Sequence, residues 1–151
     1  MKVALITLVA ALTASAAVAS GAVDPAGPST AKPTLSVRNS AFGRILFDGN
    51  GHALYAFTKD PRRGRSTCYG ACATAWPPYL KTGALRAAAG VRRSLIGTTR
   101  RRNGRLQVTY AGRPLYYYVG DREVGQVLCQ NVREYGGLWL VQRPSGSLVR
   151  Y

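Results

Sequence analysis

Two stretches of this chain, GRILFDGNGHALYAFTKDPRRGRSTC (Gly43 to Cys68) and GRLQVTYAGRPLYYYVGDREVGQVLC (Gly104 to Cys129), align without a gap at a spacing of sixty-one residues. Eight of the twenty-six aligned positions are identical: Gly43/Gly104, Arg44/Arg105, Gly51/Gly112, Leu54/Leu115, Tyr55/Tyr116, Asp60/Asp121, Gly64/Gly125 and Cys68/Cys129. Chance pairing gives about two identities over such a window, so the chain carries an internal repeat. Two copies are too few to stack as a solenoid. Each must bury its apolar face against the other, as a pseudo-twofold pair sharing one core.

Each copy reads locally as a β-hairpin. RILFD and RLQVTY are strand-like, Gly49 to Gly51 and Ala111-Gly112 supply the turns, and ALYAF and PLYYYV return. Side chains alternate along a strand, so Tyr55 and Phe57 share one face, as do Tyr116 and Tyr118, while Leu54, Ala56, Leu115 and Tyr117 occupy the other. Pro114 has no amide to donate and belongs at the start or edge of its strand. Asp60 and Asp121 stand five residues after the repeated Tyr, where a carboxylate can accept backbone amides and close the turn. Six acids in the whole chain leave Asp60 no neighbouring carboxylate with which to hold a metal.

The expected architecture is therefore mostly β: a small antiparallel domain, sandwich or barrel, of two pseudo-repeated hairpin units with one short helix. That helix is expected over residues 67–75, capped by Ser66 or Thr67 and stopped by Trp76-Pro77-Pro78. A carboxy-terminal hairpin, GLWLVQRPSGSLVRY, closes the sheet.

Ahead of the repeat, one Lys, an apolar run from Val3 to Leu12 and the small residues Ala17-Val18-Ala19 read as a secretory signal peptide over residues 1–19, cut after Ala19. Ser20 to Thr34 follow as a linker of Pro, Gly, Ser, Thr and Ala, and residues 35–151 form one domain. The formal charge of +15 favours anionic partners. For an exported protein these are cell-wall polymer, glycan or membrane surface. The basic runs PRRGR, VRR and RRRNGR carry few interleaved aromatics, so no specific nucleic-acid module is spelled out.

The pattern G-x-x-L-Y-x-[FY]-x-x-D, followed by CYGACATAWPP and by QVTYAGRPLYYYVGD, resembles the secreted repeat of unknown function found in predicted bacterial lipoproteins with a Yx(FWY)xxD motif. The resemblance spans about Leu35 to Arg150. It implies an exported, envelope-associated protein and brings no catalytic residues with it. Many relatives carry a lipid-modified Cys near the amino terminus, whereas no Cys follows the apolar run here. Cys129 lies where relatives often read Gly-rich.

In an oxidising compartment Cys68, Cys72 and Cys129 allow three single bridges, each leaving one thiol over. A local Cys68–Cys72 bridge lies within reach if the two sit at i and i+4 of a turn. A bridge from Cys129 would instead staple the halves, closing a loop of about sixty residues worth roughly 4 kcal/mol. The alternative function, a thiol redox or metal/haem-binding envelope protein, would use these three cysteines, but the three-residue spacer lacks the C-x-x-C form and the only His, His52, falls in a turn. Trp76 and Trp139 read as core anchors. No nucleophile–base pair or carboxylate pair can be assembled, so neither an enzyme nor a cofactor is expected. The leading expectation is a non-catalytic adhesion or scaffold module for anionic surface material.

Overall fold

The computed structural model describes residues 31–151, so the signal peptide and most of the linker expected from the sequence lie outside the described residues. The chain forms eight strands: β1 (Leu35–Ser40), β2 (Gly43–Asp48), β3 (Tyr55–Phe57), β4 (Ile96–Arg100), β5 (Leu106–Tyr110), β6 (Arg113–Tyr116), β7 (Val132–Glu134) and β8 (Gly137–Val141). One short helix, α1 (Ala71–Ala75), and a 3-10 turn at Arg93–Leu95 complete the elements. β1 and β2 make a two-stranded ribbon, and the other six strands form an antiparallel sheet in the order β4-β5-β6-β3-β8-β7. That sheet ends at β4 and β7 and does not close on itself.

The two copies meet at the middle of the sheet, where Tyr55 of β3 pairs with Tyr116 of β6 and Ala56 with Leu115. Tyr55 and Tyr116, related by the sixty-one-residue repeat, are thus partners of one another, which puts the pseudo-twofold axis through that pair. The relation also reaches upstream, because β1 and β4 begin at Leu35 and Ile96, again sixty-one residues apart.

Alternation along the two central strands divides the core as the sequence led us to expect. On one face Tyr55, Phe57 and Tyr116 pack with Ile45, Trp76 and Trp139, while on the other Leu54 and Leu115 pack with Leu35, Leu46, Ile96 and Val108. Burial of each such side chain contributes about 1.5–3 kcal/mol, so a sheet covered on both faces at its centre supplies most of the driving force for folding.

The second hairpin forms as expected. Ala111 and Gly112 both have positive φ, 49° and 76°, the two-residue turn that matches strand twist and keeps β5 and β6 paired. Pro114 lies second in β6, beyond the two pairs that β3 makes with that strand, so its missing donor breaks no bond there.

The first hairpin departs from expectation. The Asp48 carboxylate gathers the N–H groups of Asn50, Gly51 and His52 at 2.7–2.9 Å, making a wider turn. Only the isolated Phe47↔Ala53 bridge joins its two sides, and β8 takes the edge of β3 instead. A second unanticipated hairpin, β7–β8, turns at Tyr135-Gly136 with positive φ at both residues. The carboxy-terminal return is present through the Gln142↔Leu148 bridge and Val149 N–H to Val141 O at 3.0 Å.

The helix is also shorter than the expected 67–75. It begins only after Gly70 at φ 55°, and no side chain caps it. Thr67 is committed elsewhere, giving its N–H and hydroxyl to Asp60, and residues 65–69 form no helix.

Candidate functional site

The repeated residues converge on one place. The Tyr55 hydroxyl donates to Asp121 Oδ2 at 2.7 Å, and the Tyr116 hydroxyl donates to Asp60 Oδ2 at 2.5 Å. Each copy's tyrosine is therefore held by the other copy's aspartate. Both carboxylates also accept the N–H of the residue seven positions on, Thr67 at 2.7 Å for Asp60 and Leu128 at 2.9 Å for Asp121. The capping role expected for Asp60 and Asp121 is present, together with a cross-link that no local pattern discloses.

Around the crossed pairs the aromatic rings form a stack in the order Phe57, Trp139, Trp76, Tyr118. Phe57 lies 4.2 Å from Trp139, Trp139 lies 4.0 Å from Trp76 with an angle of 4°, and Tyr118 is tilted against Trp76 at 4.8 Å. Tyr55 meets Trp76 edge-on at 5.2 Å and Tyr116 meets Trp139 edge-on at 5.1 Å. Each tryptophan thus touches its own copy's tyrosine by the edge and the other copy's aromatic by the face, both preferred ring geometries. The Trp76 indole N–H reaches Glu134 Oε2 at 2.8 Å, while the buried Trp139 N–H meets no acceptor among the described residues.

The two halves of the centre are not equivalent. On the Asp60 side the buried Arg101 donates to Ser66 Oγ at 2.9 Å, Gln107 Oε1 at 2.7 Å and Cys68 O at 2.8 Å. Gln107 passes its amide N–H on to Leu115 O at 2.7 Å. Arg101 sits in the run RRRNGR, which reads as solvated surface, and its sixty-one-residue counterpart is Ser40, so no sequence signal marks it. On the Asp121 side no such arginine stands among the described residues. His52 faces that carboxylate and favours its charge.

Cys68 is bridged to Cys72 with Cα atoms 5.3 Å apart, and Cys129 is free and half-buried. Of the pairings the sequence left open, the local one forms, although not as an i, i+4 pair on a helix, since Cys68 lies ahead of α1. Burial pushes the Cys129 thiol up, with Tyr118 pulling it back and Glu134 and Asp121 adding to the push.

Burial dominates the titration of the centre. It raises Asp60, against the donors Tyr116 and Thr67 and the charge of Arg101, and it raises Asp121 against Tyr55 and Leu128. Burial, reinforced by the partner carboxylates, drives Tyr55 and Tyr116 far above the ordinary tyrosine value, and burial with the nearby Asp48 pushes Tyr79 up to about 12. These hydroxyls are held as donors. Those of Tyr55 and Tyr116 clamp the two copies together.

A folded value above the unfolded one gives stability that is complete below the unfolded pKa of about 10 and is lost as pH rises past it. Tyr55 and Tyr116 should each forfeit about 1.4 kcal/mol by pH 11. Alkaline titration followed by tyrosinate absorbance should show these two ionising only together with loss of tertiary circular dichroism. Smooth ionisation of every tyrosine near pH 10 in a folded chain would contradict the clamp.

No curated protein and no solved structure matches the chain. A family model does so twice, over residues 36–79 and 97–142, and the two matches begin sixty-one residues apart, in the register of the crossed tyrosines. The protein belongs to the family described as a secreted repeat of unknown function, and its two family repeats meet at the Tyr55/Tyr116 pair of β3 and β6.

Proposed function

We propose that this protein is an exported, non-catalytic envelope protein that holds to anionic surface material through its arginine-rich exterior. The observation that supports this reading is how the chain divides its charges. Asp48 and Asp60 are buried and spent on N–H and hydroxyl donors, Asp121 takes Tyr55 and Leu128, and Glu134 takes the Trp76 indole. Arg62, Arg65, Arg93, Arg102, Arg105 and Arg133 remain exposed. Two carboxylates, Asp48 and Asp60, and one guanidinium, Arg101, are withdrawn from the surface, which keeps the positive excess of the chain.

Exposed charges are screened within about 3 Å at 1 M salt against about 10 Å at 0.1 M, so such adhesion is salt-labile. The protein should bind isolated cell-envelope material at about 0.1 M salt and elute well before about 1 M. Retention that is indifferent to salt would count against adhesion by charge.

A further inference from the structure

The pseudo-twofold axis makes two equivalent places outside the clamp, and the sequence fills them differently. In each, the loop after one copy's aspartate crosses the hairpin turn of the other copy. Arg63 N–H donates to Gly112 O at 2.7 Å in one, and Gly125 N–H donates to Gly51 O at 2.9 Å in the other. At the first place stand Arg62, Arg63 and Arg113. Their sixty-one-residue counterparts at the second are Glu123, Val124 and His52. The repeat builds the scaffold twice and gathers three arginines of the loop, turn and carboxy terminus on one side, against the single guanidinium of Arg38 beside the Gly51 turn on the other.

That loaded side opens into a cleft of about 420 Å³ whose walls include Arg62, Arg113, Arg150, Ser145 and Ser147. Three segments interlock to form it. A Cβ on Gly146 would come within 2.6 Å of the Ala111 side chain, and one on Gly112 within 2.9 Å of Arg63 Cγ, so glycine at both positions lets the loop and turn close up. Arg62 is aimed by its Nε–H bond to Ala111 O at 3.2 Å. The Ser145 and Ser147 hydroxyls lie 2.9 Å apart at the mouth.

Burial and the like charges of Arg62 and Arg150 pull Arg113 below its ordinary value. Asp60, the acid on that side, already accepts from Tyr116 and Thr67. Among the described residues no acceptor meets the guanidinium of Arg113 or Arg150. Three cations held together, with only the already committed Asp60 offsetting part of their repulsion at Arg113, form a site complementary to an external anion.

We propose that this cleft binds the phosphate groups of an anionic polymer, with Arg62, Arg113 and Arg150 as fork donors and the Ser145 and Ser147 hydroxyls completing the shell. Successive phosphates along a polymer backbone carry their charges close together and can each meet a different guanidinium fork, whereas the carboxylates of a polypeptide stand on flexible side chains that must be ordered one by one. The proposal rests on the adhesive reading above and gives it a place and a ligand class.

The test is calorimetric binding of linear polyphosphate to the full chain, with polyglutamate of equal charge as competitor. Arg150→Gln and Arg113→Gln should each weaken binding about tenfold, the size expected for one charge-assisted contact, while Arg133→Gln, on the exposed β7, should change it less than twofold. Arg150 is exposed, so its variant keeps the test independent of folding. Equal losses in all three variants, no binding by the parent chain, or polyglutamate binding as tightly as polyphosphate would each overturn the proposal. Salt-labile retention on envelope material that Arg150→Gln leaves unchanged would remove the cleft and leave the adhesive reading standing. Loss of that retention in the parent chain would remove both.

Discussion

Trp139→Ala is expected to lower the unfolding free energy by about 3–5 kcal/mol, the range for emptying a buried aromatic site. The indole touches Phe57, Trp76 and Tyr116, and is fully buried. Its removal would leave Phe57 without its stacked partner and Trp76 facing a void. Trp139→Phe should cost much less, because it keeps a ring in the stack and deletes an N–H that has no acceptor among the described residues. The matching change Trp76→Phe should cost more than Trp139→Phe, since it deletes a hydrogen bond to the Glu134 carboxylate. Urea unfolding of the four chains reads all three differences. Equal costs for the two Trp→Phe variants would mean that the indole N–H groups contribute nothing distinguishable.

The second large effect is expected at the crossed pairs, and it should be unequal between the copies. Asp60 is surrounded by three donors, Thr67 N–H, Thr67 Oγ1–H and the Tyr116 hydroxyl, and is only 3% exposed. Asp60→Asn replaces one acceptor oxygen by an NH2 that must face a donor, which should cost about 2–3 kcal/mol. Asp121 is half-buried and accepts two such bonds, so Asp121→Asn should cost roughly 1 kcal/mol. A double-mutant cycle of Asp60→Asn with Tyr116→Phe should show strong coupling, and Asp60→Asn with Tyr55→Phe almost none. Coupling within a copy instead of across copies would disprove the crossed arrangement.

The acid limb does not follow from these carboxylates. Burial raises the folded values of Asp60 and Asp121, so whatever stability their titration provides is complete below the ordinary carboxylate value and declines as pH rises through the folded one. Acidification alone therefore does not open the clamp by protonating them, whereas alkali opens it through Tyr55 and Tyr116.

Legibility differed between elements for identifiable reasons. The β5–β6 hairpin could be read because its turn is two residues and its strands alternate. The β2–β3 return looked the same in sequence, yet Asp48 gathers three N–H groups and widens the turn. The edge thereby released goes to β8, ninety residues down the chain from Gly49, and a pairing at that separation leaves no local trace. The helix limits were misplaced because Thr67, a residue that caps helices, found a buried carboxylate instead. Arg101 was illegible for a similar reason: one guanidinium among several in a basic run was drawn inside by Ser66, Gln107 and the Cys68 carbonyl.

Identity and spacing along the chain establish two copies, each with a turn, an alternating strand and a carboxylate exit, and with shared residues of the kind a packed β-unit requires. Periodicity and identity are local properties, and they survive in one dimension. That Tyr55 answers to Asp121 and Tyr116 to Asp60 is set by the fold in three dimensions. Antiparallel pairing about a pseudo-twofold axis brings each tyrosine to the far copy's aspartate, and a contact across that axis has no spacing by which a linear pattern could reveal it.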